Sequence, residues 1–180
     1  MPSSDNYGKK DIQKYINKLI DRDDFRVLDL GCGRGTYAEL IEKPCYKVAV
    51  DAHDYTRRFN LLEKYNEFHK KDIRDTEYLK SLGKFDLTIL GDVLEHLDTE
   101  DAQRVLAELQ TMSDNIIVAV PYEYPQIDKH NHWEDHLQDD LTPQIMRDRY
   151  PQLNLFGAYF DKKGKLCYGY YTWKKEDLKW

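Results

Sequence analysis

A chain of 180 residues, 41% apolar and 33% charged, is long enough for one ordinary domain with a central sheet and too rich in Val, Ile, Leu and Tyr for a disordered polymer. Its formal net charge of −6 argues against binding nucleic acid mainly by neutralising phosphates, so a small-molecule partner is expected. Cys32, Cys45 and Cys167 form no CxxC pair and are odd in number, and no apolar run approaches the roughly 18 residues of a membrane span. A reducing, cytoplasmic setting is expected, with no membrane association.

In chain order, Ile12, Tyr15, Ile16, Leu19 and Ile20 recur at helical spacing and predict a leading helix over 9–21. Phe25 to Leu30 reads as a buried strand that runs into Gly31, Gly33 and Gly35, and Thr36 to Glu42 as a helix. Further strands are predicted at Tyr46 to Val50, ending on Asp51, then at Phe85 to Leu90 and Ile116 to Val120, with helical stretches between them. Such alternation predicts a doubly wound α/β domain with a parallel sheet and right-handed crossovers. The segment 121–141 is long and aperiodic and is expected to form a lid or acceptor loop. Leu153 to Phe160 and Leu166 to Trp173, joined by a polar turn, predict a C-terminal antiparallel hairpin over 153–173, completing a single domain over 1–180.

Glycines at every second position after a strand let the backbone turn sharply and approach a ligand with no Cβ in the way. A nicotinamide-type dinucleotide loop requires G-x-G-x-x-G, and its third glycine would fall on Thr36, which argues against an NAD-type oxidoreductase. Asp51 stands where an acidic side chain accepts the hydroxyl hydrogens of an adenosine ribose.

The series Asp29-x-Gly31-x-Gly33-x-Gly35, then Asp51, then Lys71-Asp72-Ile73, then Phe85 through Gly91-Asp92 to His96 resembles the class I S-adenosylmethionine-dependent methyltransferase superfamily over residues 26–120. The resemblance implies a seven-stranded, mostly parallel sheet with an antiparallel C-terminal strand, and S-adenosyl-L-methionine as cofactor. It implies that the glycine loop with Asp29 wraps the methionine and ribose portions, that Asp51 holds the ribose, that Asp72 and Ile73 meet the adenine, and that Gly91 and Asp92 lie under the methionine end. A catalytically silent cofactor-binding partner subunit is the alternative from another class. The pattern leaves the acceptor and the oligomeric state open.

The cofactor brings an activated methyl, so the protein chiefly aligns an oxygen or nitrogen acceptor and excludes water. His96, just past the fourth predicted strand, is the expected general base. On a helix beginning near 92, Asp92, Glu95 and His96 share a face, with Asp92 and Glu95 also fitting an N-terminal cap. Together with a lid histidine, His132, they resemble the divalent-metal pattern of small-RNA 2′-O-methyltransferases and ubiquinone-pathway O-methyltransferases, although Asp92 stands where those families commonly carry Glu. The lid also holds His130. Its expected acceptor contacts are Tyr122, His132, Trp133 and His136.

Overall fold

The computed structural model describes residues 7–127 and 131–178, which leaves His130 outside the described residues. The strands are β1 (Arg26–Leu30), β2 (Tyr46–Asp51), β3 (Glu67–Lys70), β4 (Phe85–Gly91), β5 (Ser113–Pro121), β6 (Asn154–Phe160) and β7 (Leu166–Lys174). The α-helices are α1 (Lys9–Leu19), α2 (Thr36–Leu40), α3 (Thr56–Phe59), α4 (Leu61–Lys64), α5 (Thr76–Ser81), α6 (Thr99–Met112) and α7 (Pro143–Arg149). All seven strands join one sheet in the order β3-β2-β1-β4-β5-β7-β6. β7 pairs antiparallel with both β5 and β6, and the other pairings are parallel.

Alternation along the central strands splits the core between the two faces of the sheet. Leu28, Leu30, Val48 and Val50 pack on one face with Val105, Leu106 and Leu109 of α6. Val27, Leu87, Ile89 and Ile117 pack on the other face with Ile12 and Ile16 of α1. Strand order reverses between β1 and β4, so their carboxyl ends open a crevice, the usual place for a ligand in an open α/β sheet.

The structure departs from the sequence expectations at identifiable points. α1 stops at Leu19, and β3, an edge strand of half-buried residues, has no counterpart among the expected elements. No helix starts near 92: Asp92 sits at φ 59, a short 3-10 turn covers Leu94–His96, and α6 begins at Thr99. Its N-cap is Asp98, which accepts from the Asp101 N–H at 2.8 Å, so Asp92 and Glu95 are not a helix cap. The described residues of the expected lid, 121–127 and 131–141, form a strap at the carboxyl end of the sheet, with a 3-10 turn at His132–Glu134 that leads on to α7, capped by Thr142. Among the described residues no helix is long and apolar enough to cross a membrane.

Candidate functional site

The glycine loop leaves β1 through left-handed backbone. Gly31 has φ 64, and a Cβ built on it would lie 2.5 Å from Val93 Cγ2. Gly33, at φ 52, donates its N–H to Asp51 Oδ2 at 2.8 Å, while the His53 N–H donates to Asp51 Oδ1 at 2.8 Å. Burial raises the Asp51 carboxyl above its ordinary pKa, and these two N–H donors counter that. Asp51 thus stands fixed at the rim of a cavity of about 350 Å³, with Gly31, Gly33, Asp72, Ile73 and Asp92 among its walls. Partial burial pushes the Asp72 carboxyl up, but the hydrogen bonds and charge of Arg74 outweigh this and hold it below its ordinary value.

Asp29 and Gly35 line neither this cavity nor its neighbour. Asp29 lies beneath the loop, accepts the Tyr65 hydroxyl at 2.5 Å, and has its pKa raised by burial to about 7. Gly35, at φ 80, is the N-cap residue of α2. Both shape the loop from behind.

A second cavity of about 380 Å³ shares Gly31, Gly33, Asp92, His96 and Glu134 with the first and also meets Gly91 and Tyr168. The Tyr168 hydroxyl donates to Asp92 Oδ1 at 2.5 Å across 76 residues of sequence. Tyr168 is a site residue that sequence reasoning missed; its signal is the alternation of Tyr168 and Tyr170 toward one face of β7. Of the expected acceptor contacts, Tyr122 and His136 line this second cavity, whereas His132 and Trp133 line the first. Tyr122 is tied to the structure by a 2.6 Å hydrogen bond with the Tyr171 hydroxyl.

Deep in this cavity Glu95 is 1% exposed, and neither of its carboxylate oxygens has a hydrogen-bond partner. One carboxylate oxygen of Glu95 and one ring nitrogen from each of His96 and His136 lie within 4.8 Å of one another. The strap delivers His136 to this point: the His136 N–H donates to Gln126 O at 2.9 Å, and the N–H groups of Leu137 and Gln138 donate to Glu95 O at 2.8 and 3.0 Å. His96 Nδ1 is 3.0 Å from Asp135 O, and His136 Nδ1 is 2.6 Å from Tyr124 O. A carbonyl only accepts, so each Nδ1 carries the proton and each Nε2 keeps a lone pair. Burial, and then the neighbouring His136, lower His96 to a pKa of about 4; burial also lowers His136. Burial and the charge of Asp92 raise the Glu95 carboxyl well above its ordinary range. His132 is not in the cluster: its ring is exposed and pairs with Asp135 at 3.2 Å. Asp92 borders the cluster but is not among its three members.

Residues 27–114 match the family described as "Methyltransferase domain". No curated protein matches the chain by sequence. Among solved structures, the N-terminal domain of EvdMO1, determined with S-adenosylhomocysteine and D-fucose, superposes with a TM-score of 0.67 at 13% identity, over 96% of this chain and 84% of that one. A S-adenosylmethionine-dependent methyltransferase from Clostridium acetobutylicum gives 0.65 at 14% identity, over 92% and 90%. Monomeric WbdD gives 0.65 at 22% identity, over 96% of this chain but 42% of that one. At these identities the likeness is one of fold. The matched stretch, 88 of the 180 residues, contains the glycine loop, Asp51, Asp72 and Asp92, so over that stretch the chain is similar to methyltransferase domains and shares their fold.

Proposed function

We propose that the protein methylates an oxygen of a small hydroxylated acceptor, assisted by a divalent cation held by Glu95, His96 and His136. The observation that carries this reading is the orphaned carboxylate. A buried acid with no donor is costly, and two neutral imidazoles beside it offer lone pairs and no compensating charge. A divalent ion satisfies all three groups, and the backbone bonds at both Nδ1 atoms are the outer contacts that orient metal-ligating histidines. Bound there, such an ion would supply Lewis-acid chemistry, lowering the pKa of an acceptor hydroxyl beside it. Proton removal by His96 itself, the expectation from sequence, is disfavoured: an imidazole with a pKa of about 4 is a weak base at neutral pH.

The cofactor fits the first cavity by its chemistry. Asp51 faces it as a ribose acceptor, the glycine loop offers backbone without side chains, and Asp72 and Ile73 form the far wall for adenine. Asp92, shared by both cavities, marks the junction where the methyl is handed over. The methyl–sulfur bond breaks as the oxygen–methyl bond forms, S-adenosylhomocysteine leaves, and the hydroxyl proton passes to solvent. Tyr122, Tyr124 and Tyr168 give the acceptor chamber apolar faces edged with hydroxyls. The D-fucose present with the EvdMO1 domain makes sugars the first class to screen.

The test is release of S-adenosylhomocysteine over a panel of sugars and phenols. Activity should vanish with a chelator and return with Mn²⁺, Co²⁺ or Zn²⁺, and Glu95→Gln and His136→Ala should abolish both activity and the visible absorption of bound Co²⁺. Turnover indifferent to chelation and to His136→Ala would overturn the metal reading and leave alignment alone as the catalytic device.

A further inference from the structure

The strap serves both cavities. His132, Trp133 and Leu137 line the cofactor chamber, whereas His136 lines the other. Trp133 is the unusual member. Its large indole is 46% exposed, a poor arrangement for a residue kept only for packing. It is nonetheless held in position: Asn131 Oδ1 accepts from the Trp133 N–H at 3.3 Å, and the Arg74 guanidinium lies 4.8 Å from the ring centroid. Arg74 in turn is clamped to Asp72, through Nε at 2.9 Å and Nη2 at 2.7 Å from Oδ2. The His53 ring meets the indole edge-on at 6.5 Å, and His53 follows Ala52 and Asp51 along the ribose side of the same chamber. Trp133 is therefore fixed between the ribose wall and the adenine wall, with apolar surface left over.

We propose that Trp133 is a cofactor-binding residue that covers the adenosine half of S-adenosylmethionine. The sequence pattern had placed it toward the acceptor. A planar heteroaromatic ring is the ligand group that an exposed indole backed by a guanidinium suits best, through stacking and apolar burial. The inference rests on the methyltransferase reading of the chamber and is independent of the proposed cation.

Of the three tryptophans, Trp173 is buried in the core on the far side of β5 from the glycine loop and Trp180 lies outside the described residues, so the emission change due to Trp133 is read as the difference between wild type and Trp133→Phe. In the full-length protein, saturation with S-adenosylhomocysteine should change the tryptophan emission of wild type, and Trp133→Phe should remove that change while binding within a few-fold of wild type. Trp133→Ala should weaken S-adenosylhomocysteine roughly tenfold or more in calorimetry, as stacking interactions of this kind do. It should weaken free adenosine by a similar factor, because the lost contact is with the adenosine half. Unchanged affinity in Trp133→Ala, or a loss confined to S-adenosylhomocysteine and absent for adenosine, would overturn the proposal. Failure of the wild-type protein to bind S-adenosylhomocysteine at all would instead bring down the underlying assignment of the chamber.

Discussion

Replacing Glu95 with Leu separates function from stability at a single position. In the absence of metal, wild type buries a carboxyl group whose two oxygens have no hydrogen-bond donor, at 1% exposure. An unsatisfied buried polar group costs about 1–3 kcal/mol, and a well-fitting apolar side chain of similar volume removes that cost. In a protein of this size each kcal/mol moves the melting temperature by about 2–4 °C, so Glu95→Leu should raise Tm by about 2–12 °C when unfolding is followed in the presence of chelator. Metal should offset most or all of that difference. At a free concentration about a hundred times its dissociation constant, a bound ion stabilises wild type by about 2.7 kcal/mol, and the Leu variant, with one ligand gone, should gain far less. Scanning calorimetry of both proteins with chelator and with Mn²⁺ or Zn²⁺ gives all four values. A Leu variant that melts below wild type in chelator would mean that Glu95 has a structural role of its own. A wild-type Tm that no divalent ion moves would refute the cation reading.

Asp51→Ala should leave the fold intact and weaken S-adenosylhomocysteine by about 1.5–3 kcal/mol in calorimetry, the loss of a charged acceptor for ribose hydroxyls; an unchanged dissociation constant would move the adenosine site elsewhere. At Gly91 a new Cβ would lie 1.7 Å from Tyr37 Cε2, so Gly91→Ala should destabilise by about 2–3 kcal/mol in urea unfolding, and adding Tyr37→Leu should recover part of that loss. Asp29 has a folded pKa of about 7, raised mainly by burial. A carboxyl raised in the folded state gives full stability below its unfolded pKa, and that stability is lost as pH rises toward the folded value, at about 1.4 kcal/mol per pH unit. Wild type should therefore lose stability relative to Asp29→Asn between about pH 4 and 7, and parallel stability curves for the two proteins would contradict the assignment.

The parts of the molecule that could be read from sequence are those encoded locally. A strand, three alternating glycines and a helix in succession specify the glycine loop, and a strand ending in an acid places Asp51 beside it, because each feature lies within a few residues of its cause. β3 escaped because Glu67, Phe68 and His69 are all half-buried at a sheet edge, where neither alternation nor a continuous apolar run develops. The expected helix at Asp92 failed because the residue leaves β4 in a left-handed conformation, so Glu95 and His96 meet on a 3-10 turn instead of a helical face. Choosing His136 over His132 depends on where the strap is pinned, through Gln126 O and Glu95 O, and no spacing along the strap carries that information. Tyr168 reaches Asp92 only because β7 inserts between β5 and β6.

Gln126 closes the strap on itself. Its carbonyl takes the His136 N–H, and its side-chain amide donates to Glu134 O at 2.7 Å, so the chain between Gln126 and Glu134 springs from a tied neck. The two ends of that stretch are thereby held together, and closing a longer connection costs only about 0.6 kcal/mol for each doubling of length. A change of length between these two ties can thus be absorbed while His136 remains beside Glu95.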